Sequence, residues 1–383
     1  MKTRAGGTIK VIQWGLGGVG SIALREMLSN PMFDVIAVKA FSADKAGKDA
    51  GELIGGESIG VPVTVDIDAL PFDRADCVMY CPRMTDYDEV AAMLRKGVNV
   101  VTIASNVYPL YYGQDVFAKL NDSGKAGGAS FHGSGINPAF ISDLMAITVS
   151  GVVHQATSIN VQEISDVTVY AMAAPEIMFT HTGFGKRPED MSGPDTFLSG
   201  MDAYFSESIL MVCDHLGVTL ERIEHGHDWA TTNVPINLPN GVVIEKDTIA
   251  CRRFQYFGVI DGERRIRLAT AWKLGSDLTP AWDVSTSGMV EWTITVEGSP
   301  SFQCKIATAK SFDPDSPDYL KGSENAALIA TAAHAINTIP YIVDAAPGVR
   351  TFLDLPPIGS QGAFRKRRFE GAKAGSARSA EQA

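Results

Sequence analysis

Thr8-Ile9-Lys10-Val11-Ile12-Gln13-Trp14-Gly15-Leu16-Gly17-Gly18-Val19-Gly20 decides how the rest of this chain is read. The first seven residues form a largely apolar run that reads as a strand, and G-x-G-x-x-G follows it without a gap. Val19, Ile22, Ala23 and Met27 then recur at helical spacing up to Asn30-Pro31, where proline cannot continue the ladder. A further apolar run, Val35 to Phe41, completes a βαβ unit of about 30 residues. In such a unit the first glycine permits the tight turn, the second lets backbone approach a pyrophosphate, and the third lets the helix pack on the strand. The helix N-terminus adds unpaired N–H groups and a partial positive charge. Gly15, Leu16, Gly17, Gly18, Val19 and Gly20 are therefore read as a dinucleotide site, with a merely tight turn as the alternative.

Which dinucleotide binds depends on the end of the second strand, where Asp or Glu would hold the ribose hydroxyls of NAD. Val38-Lys39-Ala40-Phe41-Ser42-Ala43 holds no carboxylate. Ser42, with Lys39 or Lys45, could offer a hydroxyl and a cation to a 2′-phosphate, so NADP(H) is favoured and NAD(H) is the alternative. Pro82, directly after the apolar strand Cys77 to Cys81, completes the cofactor-binding candidates of this half.

The βα rhythm continues with a helix over Asp88 to Lys96 and strands over Asn99 to Ile103 and Ala129 to His132. Strands this apolar belong in a parallel sheet covered on both faces. Past about Gly151 the pattern changes to a long strand (Thr157 to Val169), a helix (Ala203 to Leu216) and two hairpins. One hairpin turns at Asp261-Gly262; the other crosses Glu297-Gly298-Ser299-Pro300 between Met289 to Val296 and Phe302 to Thr308. A helix from Ser323 to Thr338 would cover the first domain if the chain returns to it. The expected fold is α/β: an N-terminal Rossmann domain with a doubly wound parallel sheet (1–150, completed by 315–358), and a central α+β domain with a mostly antiparallel sheet (151–314). A basic disordered tail (359–383) follows.

Composition sets the outer limits. The 383 residues are 45% hydrophobic and 20% charged, typical of a globular protein of two domains. A net charge of −11 argues against a general nucleic-acid binder. No run of about 18 apolar residues and no signal-peptide core point away from a membrane and toward the cytoplasm. The five scattered cysteines fit reduced thiols better than a disulfide framework.

With the glycine turn, Asp49-Ala50-Gly51-Glu52-Leu53-Ile54-Gly55 and Gly133-Ser134-Gly135-Ile136-Asn137-Pro138 in view, the chain resembles the dihydrodipicolinate reductase-like superfamily. Within it, the resemblance is to the longer members, the 2,4-diaminopentanoate dehydrogenase and native amine dehydrogenase branch. It implies a Rossmann domain completed by a C-terminal helix, and a central domain that closes over the nicotinamide and carries oligomer contacts, so a homodimer is expected. It also implies that Gly133 to Phe140 lies beside the nicotinamide, making Gly135 and Asn137 candidate contacts. Two departures matter. The paired histidines and nearby lysine of true dihydrodipicolinate reductases are missing. Where the amine dehydrogenases place a glutamate after the strand ending near Ile103, this chain reads Ala104-Ser105-Asn106-Val107-Tyr108-Pro109. Reduction of a ketone or preformed imine thus stands beside ammonia-dependent reductive amination.

Hydride transfer to C=O or C=N needs a group that polarises the heteroatom and supplies a proton. Glu163 and Ser165 alternate onto one face of the long strand, Asp166 and Thr168 onto the other. A carboxylate in so apolar a stretch costs desolvation unless it is paired or used, so Glu163 and Asp166 are catalytic candidates, with a salt bridge or strand-end cap as the alternative. Asn106 and Tyr108, in a loop crowded by Tyr111 and Tyr112, are candidates for orienting substrate. His181, in the glycine-rich Phe179 to Gly185, is a candidate proton donor. Glu224-His225-Gly226-His227-Asp228 has metal-ligand residue types, yet no matching cluster occurs elsewhere and hydride transfer from a nicotinamide needs none, so no metal is expected. The expectation is an NAD(P)-dependent oxidoreductase taking a small organic substrate between its domains, the rival being a nucleotide sensor without turnover.

Overall fold

The computed structural model describes residues 7–168, 171, 176–191, 196–286, 290–322, 325–362 and 364. They fall into two compact units: the residues up to Gly135 together with those from Leu328 onward, and Ile136–Ala327.

The first unit is a parallel sheet of seven strands. These are β1 (Ile9–Trp14), β2 (Phe33–Lys39), β3 (Val63–Thr64), β4 (Cys77–Tyr80), β5 (Asn99–Thr102), β6 (Ser130–Gly133) and the late β16 (Gly348–Val349). Their spatial order, β16-β6-β5-β4-β1-β2-β3, reverses direction beside β1, which sets the end of β1 at the switch point of a doubly wound sheet. Helices cover both faces, as the continuous burial of β4 requires. On one face α1 (Gly18–Ser29) brings Ala23, Leu24 and Met27 into a core shared with Ala332, Ile336 and Ile339. On the other, α3 (Tyr87–Arg95) and α4 (Gln114–Gly127) bury Val90, Met93, Leu94 and Leu120; a four-residue turn of helix, α2 (Ala50–Leu53), precedes them.

The second unit is a seven-stranded sheet in the order β13-β8-β11-β12-β7-β14-β15. Its members are β7 (His154–Asp166), β8 (Arg222–Thr232), β11 (Ile249–Ile260), β12 (Glu263–Lys273), β13 (Leu278–Thr279), β14 (Val290–Ser299) and β15 (Phe302–Ala307); β9 (Ile236–Asn237) and β10 (Val243–Ile244) make a small separate ribbon. All pairings are antiparallel except β12 with β7. The helix α5 (Ala146–Ser150) and the long α6 (Thr196–Leu216) pack on one face, where Phe205, Ile209 and Val212 meet Phe254, Tyr256 and Trp292.

Several boundaries differ from the sequence reading. The first crossing falls at Gly135/Ile136 rather than near 150, because Ile136, Phe140, Ile141 and Ala146 join the core of the second unit. The return falls at Ala327/Leu328 rather than near 315. The second hairpin has a tighter loop, Pro300-Ser301: β14 runs on to Ser299 because Glu297 and Ser299 still pair with Ser158 and His154 of β7. Met289, Val169 and Ser323 lie outside the described residues. The last helix, α7, runs Ala326–Val343 and is long and apolar enough to cross a membrane by length and composition; its Ala332, Ala335, Ile336, Ile339 and Ile342 are instead buried in the core over the parallel sheet. Of the expected tail, Gln361 is tied by its N–H to Asn337 Oδ1 (2.9 Å) and by its carbonyl to Asn30 Nδ2 (3.0 Å), so 359–362 belong to the first unit; 365–383 lie outside the described residues.

Candidate active site

The glycine turn follows β1 directly. Gly15 adopts φ +95°, and a Cβ there would stand 2.6 Å from the Cys81 carbonyl oxygen; one at Gly20 would stand 2.2 Å from the Gly15 oxygen. Both positions therefore demand glycine. Gly17 and Gly18 differ: a Cβ at either would meet no atom within 4 Å, so their surroundings are open. The N-cap of α1 is Gly17, with no side-chain cap and no acidic residue in the first turn. By contrast Asp49 and Asp86 cap α2 and α3 with their carboxylates. Two side chains turn the loop carbonyls away: Gln13 Nε2 donates to Gly15 O (2.8 Å) and Lys45 Nζ to Leu16 O (2.8 Å). What remains is a loop presenting N–H groups to open space, with Leu16 buried and Val19 half-buried against the core. That arrangement fits a dinucleotide pyrophosphate. Gln13 was not singled out by sequence; the signal was an amide in an otherwise apolar strand immediately before the glycines.

At the end of β2, Lys39 is not a surface residue. It is 6% exposed, with its ammonium 4.6 Å from the Trp14 ring centre and 3.8 Å from that of Phe41, and burial draws its pKa below the ordinary lysine value. Ser42 donates its hydroxyl to the carboxylate of Asp44, an acid just past the residues whose composition suggested NADP. The exposed loop thus holds Ser42, Asp44 and Lys45 together, one acid and one cation beside the turn. Pro82 follows Cys81, whose carbonyl closes over Gly15.

After β5 the chain passes through two left-handed residues, Ser105 (φ +60°) and Asn106 (φ +64°). The Asn106 amide is buried and committed: Oδ1 accepts from Tyr87 Oη (2.9 Å), and Nδ2 donates to Thr85 Oγ1 (3.0 Å) and Ala104 O (3.0 Å). It staples the loop after β5 to the loop after β4. Gly133 must be glycine because a Cβ would lie 2.2 Å from Asn106 O. Tyr87, Tyr111 and Tyr112 form a ring cluster beside it, Tyr112 Oη donating to Ser105 Oγ (3.3 Å). Tyr108 is half-buried and precedes the short helical turn Pro109–Tyr112. Gly135 ends the N-terminal segment of the first unit, and its backbone hydrogen-bonds His334, whose Nδ1 also lies 3.1 Å from Ser134 Oγ. Behind it His132 is wholly buried, with Nδ1 2.8 Å from Arg350 O, and burial lowers its pKa to about 4.

In the second unit Glu163 lies toward the C-terminal end of β7, between Thr270 of β12 and Trp292 of β14. Its Oε1 accepts from Ser165 Oγ (2.8 Å) and Thr270 Oγ1 (3.0 Å); its Oε2 accepts from Asn137 Nδ2 (2.7 Å) and Trp292 Nε1 (2.8 Å). The expected sharing of a face by Glu163 and Ser165 is present, and Asn137 is brought to the same carboxylate. Thr270 and Trp292 had no sequence signal, since their strands enter the sheet more than 100 residues later. Asp166 closes β7 and accepts from Thr168 N (3.0 Å), a strand-end cap. His181 ends the helical turn Glu176–His181 and is half-buried.

The histidines of the 224–228 stretch both face α6. His227 Nε2 lies 2.8 Å and His225 Nδ1 3.6 Å from the two oxygens of Asp202. Glu224 pairs with Arg222 and Arg264, and Asp228 with Arg253. Among the described residues no group of three or more His, Cys, Asp or Glu is placed to hold a metal ion.

Comparison with known proteins adds to this geometry. A model of the 2,4-diaminopentanoate dehydrogenase C-terminal domain family matches residues 140–368. An amine dehydrogenase of Streptomyces virginiae is 27% identical over 359 residues, covering 91% of this chain and 96% of that protein. A 2,4-diaminopentanoate dehydrogenase of Acetoanaerobium sticklandii is 26% identical over 378 residues, covering 95% and 98%. The solved structure of an amine dehydrogenase from Mycobacterium smegmatis superposes with a TM-score of 0.70 at 19% identity over 93% of this chain and 98% of that one, a likeness of fold.

Proposed function

Because the chain belongs to the 2,4-diaminopentanoate dehydrogenase C-terminal domain family and is an NAD(P)-dependent oxidoreductase, we propose that it interconverts a small primary amine with the corresponding carbonyl or imine. The observation that carries this reading is the end-to-end likeness to two relatives, an amine dehydrogenase and a 2,4-diaminopentanoate dehydrogenase. It is joined to a glycine turn whose carbonyls are held back by Gln13 and Lys45. The bound nicotinamide supplies or accepts the hydride. The chain's own part is to bind the pyrophosphate on the α1 N–H groups and to hold the substrate nitrogen. NADP(H) is the proposed cofactor, favoured by Lys45 at the loop; Asp44 beside Ser42 is the feature that weighs toward NAD(H). The enzyme is proposed to act in the cytoplasm as a homodimer.

The test is to follow absorbance of reduced nicotinamide with a panel of amines in the oxidative direction, and of ketones, aldehydes and cyclic imines with and without ammonia in the reductive one. Amine-dependent reduction of the cofactor is expected. A second reading, reduction of a ketone or preformed imine without ammonia, is favoured by Ala104-Ser105-Asn106, where no carboxylate stands and the Asn106 amide is fully engaged; ammonia-independent turnover alone would select it. Cofactor choice is read from the ratio of dissociation constants for NADPH and NADH. Lys45→Met should lower the preference for NADPH about tenfold, as expected for one lost phosphate contact. An unchanged ratio would remove Lys45 from cofactor choice, and light scattering of the purified chain checks the dimer.

A further inference from the structure

Glu163 carries a carboxylate into the middle of a sheet, and the four groups described as hydrogen-bonding to it are all neutral. Each oxygen takes two donors, so its lone pairs are filled. Glu163 therefore has no ready place for a further donor from a ligand. What it can do is act through Asn137. By taking the Asn137 Nδ2 hydrogen it fixes which way the amide faces, and donation to an anion raises the negative charge on the amide oxygen. That oxygen, Asn137 Oδ1, is buried and has no hydrogen-bond partner among the described residues. Buried amide oxygens are rarely left in this state, and the exceptions call for a reason. The backbone around it is also unusual, since the nearby Ala139 sits at φ +127°, a region costly for a residue with a side chain.

We propose that Asn137 Oδ1, polarised and oriented by Glu163, accepts an N–H from the nitrogen of the substrate, with Glu163 as a positioning residue. A full negative charge one hydrogen bond behind a neutral acceptor favours a cationic donor over a hydroxyl. The pair thus selects an ammonium group over an alcohol of the same shape. The inference rests on the amine reading above and adds the recognition element for the nitrogen.

Glu163→Gln preserves the shape of the network: its oxygen can still accept from Asn137 and Trp292, while its amide N–H groups meet the Ser165 and Thr270 hydroxyls, which can rotate to accept. Asn137→Ser removes the acceptor. Both variants and the double variant would be prepared as full chains and checked by thermal unfolding. Methylammonium, 2-butylammonium and 2,4-diaminopentanoate would then be titrated into wild type saturated with NADPH, where no turnover occurs, and the variants tested with whichever binds. Each single variant should weaken amine binding about tenfold, the loss of one charge-assisted contact, while the dissociation constant of NADPH changes less than about twofold. The double variant should be no weaker than Asn137→Ser alone, because Glu163 acts only through Asn137.

Unchanged amine affinity in either single variant overturns the proposal, as do additive losses in the double variant. An equal loss of NADPH affinity also overturns it, since the acceptor would then serve the cofactor carboxamide. If wild type neither binds nor turns over any amine, it is the proposed function that fails.

Discussion

At the start of α1 the chain withholds negative charge; near the end of β7 it supplies one and surrounds it. The glycine turn has no capping carboxylate and no acid in the first helical turn, and its carbonyls are drawn away by Gln13 and Lys45. A preformed gap for an anion results, lined by N–H groups of the first helical turn that have no acceptor within the helix. Around Glu163 the protein has provided all the donors itself, from four neutral side chains on separate segments. One region is an open helix end built from backbone and the other a completed network built from side chains. In the first, Gly17 and Gly18 leave room where a Cβ would meet no atom, so a side chain there threatens the ligand rather than the fold; the second depends on every partner.

The largest effect that would probe this contrast is Glu163→Leu. It leaves the buried Trp292 and Asn137 donors without an acceptor, and should cost roughly 4 kcal/mol of stability, about 1–3 per orphaned group. Chemical denaturation measures it, and a loss under 1 kcal/mol would show that the network relaxes freely. Glu163→Gln should cost far less, because the pattern of donors and acceptors survives.

Next comes the acid response of the first unit. Burial lowers His132 to about 4 from an ordinary 6.5, so the unfolded chain takes up a proton that the folded one refuses. Stability from this residue is complete above pH 6.5 and is lost as pH falls toward 4, by roughly 3 kcal/mol. Asp143, buried beside Ser208, is pushed up to about 8 and works in the opposite direction, its contribution falling as pH rises from 3.8 toward 8. The quantity to measure is therefore the difference in pH slope between wild type and His132→Gln. Parallel curves from pH 6.5 to 4 would rule out a buried neutral imidazole.

Gly17→Val tests the open helix end. Its Cβ enters open space, so the melting temperature should hold while the cofactor dissociation constant rises at least about 100-fold, or about 2.7 kcal/mol. Retained binding would displace the pyrophosphate from this loop. The smallest expected change is Gln13→Leu, which frees the Gly15 carbonyl and should weaken cofactor binding about tenfold by fluorescence titration.

The same contrast explains what could be read from sequence. The βαβ unit is local: strand, glycines and helix lie within residues 9–39 and each constrains its neighbour. The Asp261-Gly262 hairpin was equally legible, since both residues adopt the left-handed backbone that such a two-residue turn needs (φ +52° and +75°). Glu163 could be picked out as an acid in an apolar strand, but not its partners, because Thr270 and Trp292 are brought beside it only by sheet register. Asn106 shows the converse. It was conspicuous at the end of a parallel strand, and the structure binds its amide to Tyr87, Thr85 and Ala104. Gln13 and Asp44 were passed over because their meaning lies in what they touch.

The late strand β16 and the helix α7 have a consequence for how the molecule is made. The parallel sheet gains its last strand from Gly348–Val349, and part of the cover over β1 comes from Ile336 and Ile339. During synthesis the ribosome therefore delivers the whole of Ile136–Ala327 before the first unit can close its core. The inserted unit is contiguous and can be finished first, while the older N-terminal strands wait with one apolar face only partly covered, by α1. A nascent chain arrested just after Ala327 has emerged from the ribosome should accordingly be captured by chaperones through its earliest residues rather than its newest.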